Sequence, residues 1–205
     1  PTTCYESSVN SRSSGESPKQ RRILERAARL IFEKGYEGTS MQDIADACGL
    51  TKAGLYHHVA TKEALLIAIM EYGMDLFEEV VLARVEHIRD PLERLRQTMT
   101  YNFELVTHDS SKEVTIILHE HQTLTGAAQK KINARKKRYV RFLEDAFKEG
   151  IAAGQIRNVD PTIASFSFLG SVLWSYKWYR LGGRISPLQL TDGTIDLFFN
   201  GLVVK

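Results

Sequence analysis

The sequence has little cysteine and no long uncharged apolar run. Only two cysteines occur in 205 residues, Cys4 in a polar segment and Cys48 in an apolar helical pattern. This distribution argues against a disulfide framework and predicts a reducing, cytoplasmic environment. No apolar stretch approaches the roughly 18 residues that a membrane span needs, and the Ser-rich start lacks the apolar core of a secretory signal. A membrane partner is therefore not expected.

Motifs for catalysis and metal binding are missing as well. The sequence contains no Gly-rich phosphate loop, no nucleophile elbow and no CxxC pair. His119 and His121 are two residues apart and so point to different faces of a helix, and a zinc-protease helix would need histidine where Thr123 stands. Either histidine alone could line a pocket or share a metal with distant partners. We expect no catalytic residue, no metal and no cofactor.

What is present is helical periodicity. After Pro18 the apolar residues recur at helical spacing, and no segment shows the two-residue alternation of strands. Start and stop signals such as Gly35, Asp160-Pro161 and Gly182-Gly183 divide the pattern into about nine helices. We predict an all-α protein with a flexible tail (1–17), a three-helix head (18–65) and a larger helical body (66–205). The head is basic, with eight Lys or Arg against five Asp or Glu between Lys19 and Lys62.

The stretch from Met41 to Val59, MQDIADACGLTKAGLYHHV, breaks its helical pattern in the middle. A helix-turn-helix unit needs a small residue where its helices meet, a turn residue that tolerates a positive φ, and an apolar residue facing the core. Ala45, Gly49 and Leu55 stand in these places. Three further residues are expected to complete the small core: Ile44, Cys48 and Leu50. The sequence therefore predicts two short helices joined by a tight turn.

The second of these helices is expected to read DNA. Thr39 or Ser40 offers a cap to the first helix, and Thr51 offers one to the second. A recognition helix places its N-terminal residues against base edges in the major groove, and a missing side chain at Gly54 lets the backbone come close. The outward residues are Lys52, Ala53, Gly54, Tyr56 and His57. The competing interpretation is a helical hairpin inside an ordinary bundle.

Residues 35–66, GYEGTSMQDIADACGLTKAGLYHHVATKEALL, resemble the DNA-binding head of the TetR family of bacterial repressors. The similarity covers the aromatic after Gly35, the Thr-Ser cap, the run from Thr51 to Tyr56 and the Lys-Glu pair that follows. It implies phosphate contacts from three residues: Thr39, Tyr56 and Lys62. It places four others nearest the bases: Lys52, Ala53, Gly54 and His57. The two caps, Ser40 and Thr51, complete the predicted DNA-binding set. Lys62 also lies at a helix N-terminus, which favours an anion.

The resemblance implies a ligand-responsive repressor that binds a palindromic double-stranded operator as a homodimer and is released by a small molecule. Apolar stripes on the last two helices are expected to form the dimer interface, although they could instead complete the internal core. The stripes are Ile163, Phe166, Leu169 and Leu173 on one helix, and Ile195, Phe198, Phe199 and Leu202 on the other. Two half-sites about one DNA turn apart favour a dimer independently.

The segment 169–186 is the predicted effector region. Its candidate residues are Trp174, Lys177, Trp178, Arg180 and Arg184. Tryptophans beside cations can stack on adenine and pair with phosphates, and the segment is similar to the corresponding helix of TetR-type regulators that sense acyl-coenzyme A. The basic run from Lys130 to Arg141 could attract such a polyanion. The plainer alternatives are core or interface tryptophans and a solvated charged face.

Two other functions stay open. A repressor of the same class could sense a hydrophobic drug-like or lipid effector in place of an acyl-CoA thioester. A protein of another class, a helical lipid carrier or enzyme, would use the head only as structure. Such a carrier has no use for an exposed lysine, tyrosine and glycine between Lys52 and Lys62, so the repressor is favoured.

Overall fold

The structure is a computed structural model that describes residues 17–107, 116–117 and 123–201. These residues form helices and no β-strand, which confirms the all-α prediction. The elements are α1 (Pro18–Lys34), α2 (Met41–Cys48), α3 (Lys52–Tyr56), α4 (Lys62–Phe77), a π-helical segment (Glu78–Leu82), α5 (Ala83–Val85), α6 (Pro91–Thr107), α7 (Gly126–Ala152), α8 (Pro161–Leu173), α9 (Ser175–Trp178) and α10 (Pro187–Asn200). The predicted tail and most of a helix predicted near residues 110–121 lie outside the described residues.

The described chain divides into two compact units. The first contains residues 17–77, 116–117 and 123–133, and the second contains residues 78–107 and 134–201. Helices α1 to α4 thus belong to the first unit, whereas α6, α8, α9 and α10 belong to the second. The finer division into a head of residues 18–65 and a body of residues 66–205 stays a prediction.

Helix α1 packs its apolar face into the core of the first unit. Its N-cap is Ser17, whose hydroxyl accepts a hydrogen bond from the backbone N–H of Gln20 at 3.2 Å. Apolar residues at helical spacing form one buried stripe: Ile23, Leu24, Ala27, Ala28 and Ile31. Gly35 ends the helix with a φ of 77°, a conformation that glycine adopts without strain.

Helix α4 follows its predicted cap, since the Thr61 hydroxyl accepts a hydrogen bond from the backbone N–H of Ala64 at 3.0 Å. The sequence predicted that this helix continues to about Ile88, and the structure differs from that prediction in two details. Its hydrogen bonding changes to the π pattern over Glu78–Leu82, and the last α-helical residue is Val85. In this segment Glu78 accepts hydrogen bonds from two cations of α7, Arg135 at 2.9 Å and Arg138.

Aromatic rings fill the core of the second unit. The rings of Phe147 in α7 and Phe168 in α8 lie edge to face, 6.5 Å between centroids. Phe168 meets Phe198 of α10 at 90° and 5.8 Å. Phe199 is fully buried, and the guanidinium of Arg96 lies 4.7 Å from its ring centre. Each such aromatic pair contributes about 1 kcal/mol beyond its buried area.

The helix predicted to run from Pro161 to Gly182 is interrupted. Helix α8 ends at Leu173, and the short α9 ends at Trp178, after which Tyr179 is extended. Aromatic residues lose rotamer freedom in a helix and lower its propensity. Four of the six residues from Trp174 to Tyr179 are aromatic. The helix therefore ends before the glycines that the sequence offered as its stop.

Candidate nucleic-acid interface

The turn between α2 and α3 has the geometry that the sequence predicted. Gly49 lies in the left-handed region with φ 66° and ψ 33°. The backbone N–H of Leu50 donates to the carbonyl of Ala45 at 2.9 Å, which closes the end of α2. Ala45 and Leu55 are fully buried. The three roles assigned to Ala45, Gly49 and Leu55 are therefore confirmed.

Side-chain caps fix where both helices begin. The Ser40 hydroxyl accepts from the backbone N–H of Asp43 at 3.1 Å, while the Asp43 carboxylate accepts from the backbone N–H of Ser40 at 2.8 Å. The Ser40 hydroxyl also donates to this carboxylate at 2.5 Å, and this hydrogen bond, together with the one from the Ser40 N–H, lowers the pKa of Asp43. The Thr51 hydroxyl accepts from the backbone N–H of Gly54 at 3.0 Å. Of the two caps left open for α2, the structure selects Ser40.

Thr39 has a different place from the other predicted DNA-binding residues. Its side chain is buried, and its hydroxyl donates to the carbonyl of Gly35 at 2.8 Å. This bond ties the residue before the α2 cap to the end of α1. The predicted phosphate contact of Thr39 stays a prediction, and it would require the hydroxyl to serve DNA and Gly35 at once or to exchange partners.

Helix α3 presents the remaining predicted residues on one open surface. Lys52, Ala53 and His57 are exposed, and so is the ring of Tyr56 at 45%. Gly54 is half-buried, and a Cβ at this position would meet the Thr51 hydroxyl at 3.1 Å. No described part of the chain covers these side chains, so a duplex has access to this surface.

Lys62 lies at the start of α4 and is held by an aromatic ring. Its ammonium lies 4.2 Å from the ring centre of Tyr36, in the segment that joins α1 to α2. A cation over a ring face is attracted by the ring quadrupole. The contact restricts the lysine side chain before any ligand arrives, which lowers the entropy lost when it pairs with a phosphate.

Two residues that were expected in the small core are only half-buried. Cys48 and Leu50 line a groove of about 270 Å³, together with Ile23 and three cations of α1, Lys19, Arg22 and Arg26. Burial raises the pKa of the Cys48 thiol, and the charge of Arg26 opposes this shift. The sequence interpretation missed this groove, although the spacing of Lys19, Arg22 and Arg26 places them along one face of α1.

The predicted effector residues lie on the surface of the second unit. Trp174 is 65% exposed and Trp178 is 49% exposed, and no ring contact joins them among the described residues. The ring of Trp178 packs edge to face on Tyr179, with centroids 6.4 Å apart. Three cations of this segment are exposed: Lys177, Arg180 and Arg184. The three cations are close along the chain, but the two indole rings do not contact each other.

The basic run on α7 is partly neutralised. Lys131 pairs with Glu71 at 2.5 Å, and Arg135 and Arg138 share Glu78. Burial lowers the pKa of Lys136 to about 8. The exposed cations without an ion pair in the described part of the chain are Lys130, Lys137 and Arg141, and the paired Lys131 and Arg138 are exposed as well. Most cations of this run are therefore paired or buried within the fold.

The predicted dimer stripes divide between the core and the surface. On α8, Ile163 is 64% exposed and Phe166 is 58% exposed, whereas Leu169 is buried. On α10, Phe199 is fully buried, and Leu202 lies outside the described residues. Gly170 and Trp174 continue the open face of Ile163 and Phe166 at helical spacing, and a Cβ added to Gly170 would meet no neighbour. This α8 face is therefore one apolar surface available to a second chain, and α10 exposes two further apolar side chains, Leu188 and Leu197.

None of the described helices is long and apolar enough to cross a membrane. Within the same ranges, no group of three or more His, Cys, Asp or Glu side chains is placed to hold a metal. His119 and His121 lie outside them.

Two family profiles match the chain. The profile for "Bacterial regulatory proteins, tetR family" covers residues 23–69, and "Tetracyclin repressor-like, C-terminal domain" covers residues 89–202. Among curated proteins, the HTH-type transcriptional repressor KstR2 of Mycobacterium tuberculosis is 27% identical over 184 residues, 88% of this chain and 90% of that protein.

Two solved structures of the regulator AibR have a higher sequence identity to this chain. A crystal structure of AibR in complex with isovaleryl coenzyme A and operator DNA is 60% identical, with a TM-score of 0.85, and covers 88% of this chain and 98% of AibR. A crystal structure of apo AibR is 58% identical with a TM-score of 0.81, over 87% of this chain and 97% of that one.

Proposed function

The chain belongs to the TetR family of bacterial transcriptional regulators, and from this premise we propose that it is a repressor released from its operator by an acyl-CoA thioester. It is a regulator and not an enzyme. A cytoplasmic location follows from this proposal, because the operator is chromosomal.

The observation that carries DNA binding is the open surface of α3. Gly49 turns the chain so that Leu55 packs inward while Lys52, Tyr56 and His57 stay accessible. We propose Lys52, Ala53 and Gly54 for base contacts because they form the first turn of the recognition helix, and His57 because it is exposed just after the helix ends. Tyr56 and Lys62 are proposed for phosphates, with Thr39, Ser40 and Thr51 at the two helix starts. Phosphate contacts set the register from which bases are read.

The effector assignment is supported by the similarity to AibR, whose structure contains isovaleryl coenzyme A. The exposed cations Lys177, Arg180 and Arg184 suit the phosphates of coenzyme A, and Trp178 lies among them. We propose this stretch for the nucleotide half of the effector. Trp174 continues the apolar face of α8, which suits a dimer contact better than a ligand contact.

The dimer is supported by the open face of α8. Ile163 and Phe166 expose large apolar side chains on this face. Gly170 follows on the same face, before Trp174, and its lack of a side chain permits close approach of a second helix. Adjacent exposed apolar residues mark interaction surfaces. An isologous dimer would present two recognition helices to a palindrome.

A mobility-shift titration on the palindrome upstream of the protein's own gene tests the proposal. We expect salt-dependent preference for the palindrome over a scrambled duplex. Isovaleryl-CoA is expected to weaken operator binding by about 5–150-fold, and operator DNA must weaken isovaleryl-CoA binding by the same factor. Free isovaleric acid and coenzyme A are the matched controls.

Absence of any palindrome preference would refute the repressor. Release by the free acid as well as by the thioester would instead support a hydrophobic effector without the nucleotide.

A further inference from the structure

The first unit carries a charged groove that the recognition surface of α3 does not use. We call it the α1 groove. It is lined by Lys19, Arg22, Ile23, Arg26, Cys48 and Leu50. Its volume of about 270 Å³ is enough for a phosphate and part of a sugar. The groove is an open cleft in the surface and not an enclosed cavity.

The lining of the α1 groove suits an anion. Three of its six residues are cations and none is a carboxylate. Lys19 and Arg22 are exposed, and neither forms an ion pair within 4.0 Å in the described part of the chain. Arg26 is held differently, because its guanidinium donates to the carbonyl of Ala47 at 2.7 Å. Two exposed cations thus lie beside a third, Arg26, that is hydrogen-bonded to α2.

The position of the groove points to its occupant. Leu50, on its wall, directly precedes Thr51, the cap of α3, and Lys52 is the next residue. The bond from Arg26 to Ala47 ties α1 to the last turn of α2, so the groove is fixed beside the start of α3. A duplex that admits α3 to its major groove brings its phosphate strands to the same side of the unit.

We propose that the α1 groove binds operator phosphates that flank the bases read by α3, with Lys19 and Arg22 as the contacting cations. This inference rests on the proposed function. The phosphates belong to the DNA backbone, so the contact is independent of base sequence and contributes through released counterions. Arg26 is a positioning residue that holds the groove against α2.

The salt dependence of binding tests the proposal. The double variant Lys19→Gln/Arg22→Gln is compared with Lys148→Gln/Arg157→Gln, which removes the same charge from exposed residues of the second unit. Each lost phosphate contact reduces the slope of log K against log salt by about 0.9, so the homodimer, which loses two contacts in each protomer, is expected to lose about 3.6 from this slope. The control variant is expected to keep the wild-type slope.

The proposal also requires the loss to be equal for operator and scrambled duplexes, since no base is read. A wild-type slope in the Lys19/Arg22 variant would overturn it, and so would a loss confined to the operator. Failure of the proposed function has a different signature, because the wild-type protein itself would then show no palindrome preference. Melting temperatures of both variants establish that the fold is kept.

Cys48 reports occupancy of the groove directly. The Cys4→Ser variant leaves Cys48 as the sole thiol, since the chain has two cysteines. Operator DNA is expected to slow alkylation of Cys48 by a neutral maleimide, and the Lys19/Arg22 variant is expected to lose this protection. Unchanged alkylation on saturating operator would overturn the proposal. So would protection by isovaleryl-CoA in the absence of DNA, because the groove would then serve the effector.

Discussion

Asn102 donates a buried hydrogen bond to the hydroxyl of Tyr139 at 2.8 Å, and this bond joins α6 to α7. The same amide nitrogen donates to the carbonyl of Thr98 at 2.7 Å, so both of its hydrogens are used. Burial raises the pKa of Tyr139 above its usual range, so the phenol is protonated at neutral pH. The second unit is thus held by polar as well as aromatic contacts.

Tyr139→Phe is expected to lower the free energy of unfolding by about 1–3 kcal/mol, because it leaves an Asn102 N–H buried without an acceptor. Tyr179→Phe is the matched control, since the Tyr179 hydroxyl is buried and has no hydrogen-bond partner among the residues that the structure describes. Removing that hydroxyl should be neutral or slightly stabilising. Chemical denaturation measures both. Equal decreases in the free energy of unfolding of the two variants would show that the hydrogen bond to Asn102 does not stabilise the fold.

Gly54→Ala separates DNA binding from folding. The new Cβ would lie 3.1 Å from the Thr51 hydroxyl, which a small shift accommodates, and alanine favours a helix by about 1 kcal/mol over glycine. The melting temperature should therefore stay close to that of the wild type. Operator affinity should fall, because the added methyl group stands between the α3 backbone and the bases. Wild-type affinity in a mobility-shift assay would contradict the close approach proposed at Gly54.

What the sequence predicted well was local. The caps at Ser40, Thr51 and Thr61 and the left-handed turn at Gly49 depend on residues within four positions of each other, so their pattern is visible in one dimension. The exposure of Phe166 and the burial of Phe199 depend on which face of α8 or α10 meets the rest of the unit. Periodicity defines such a stripe, but it does not say whether the stripe is core or surface.

The α1 groove and the π-helical segment show a second feature that the sequence could not predict, namely contacts between distant segments. Cys48 and Leu50 are apolar and correctly spaced for a core, yet α1 leaves them half-covered. Glu78 lies in the π-helical segment, and its two arginine partners are almost 60 residues away along the chain. Contacts between distant segments of this kind are not encoded in local spacing.

Phe166→Glu tests the dimer face. The side chain is 58% exposed, so a charge there should leave the fold of the protomer intact. It would be buried without a partner in an isologous dimer, at a cost of several kcal/mol. Sedimentation should show monomers, and operator affinity should fall although α3 is unchanged. Leu188→Glu, at a position that is 68% exposed on α10, shows whether that helix shares the interface. A dimeric Phe166→Glu protein would exclude the α8 face.

Trp174 and Trp178 are predicted to have different functions, the first in the dimer contact and the second in ligand binding. Trp178→Ala, combined with Arg180→Gln, should weaken binding of isovaleryl-CoA and leave the dimer intact, because these residues carry the proposed nucleotide contacts. Trp174→Ala should weaken the dimer and leave ligand affinity in the remaining dimer unchanged. Calorimetry and sedimentation measure the two effects. Wild-type ligand affinity in the Trp178/Arg180 variant would remove this segment from the effector site.

Lys136 gives the second unit a distinct dependence on pH. Burial lowers its pKa to about 8 in the folded protein, below the 10.5 of an unperturbed lysine. The unfolded chain therefore binds more protons between pH 8 and 10.5, and stability contributed at this site rises with pH across that window. Below pH 8 the charged, partly desolvated ammonium costs the folded state a constant amount, about 1 kcal/mol once solvent screening is allowed for.

Lys136→Met should thus be more stable than the wild type at pH 7, and the difference should shrink as the pH rises from 8 to 10.5. Lys137→Met, at the exposed neighbouring position, supplies the control for other groups that titrate in this range. Denaturation at a series of pH values measures the difference. A gap between Lys136→Met and the wild type that stays constant with pH would mean that packing of the methionine, and not desolvation of the ammonium, sets it.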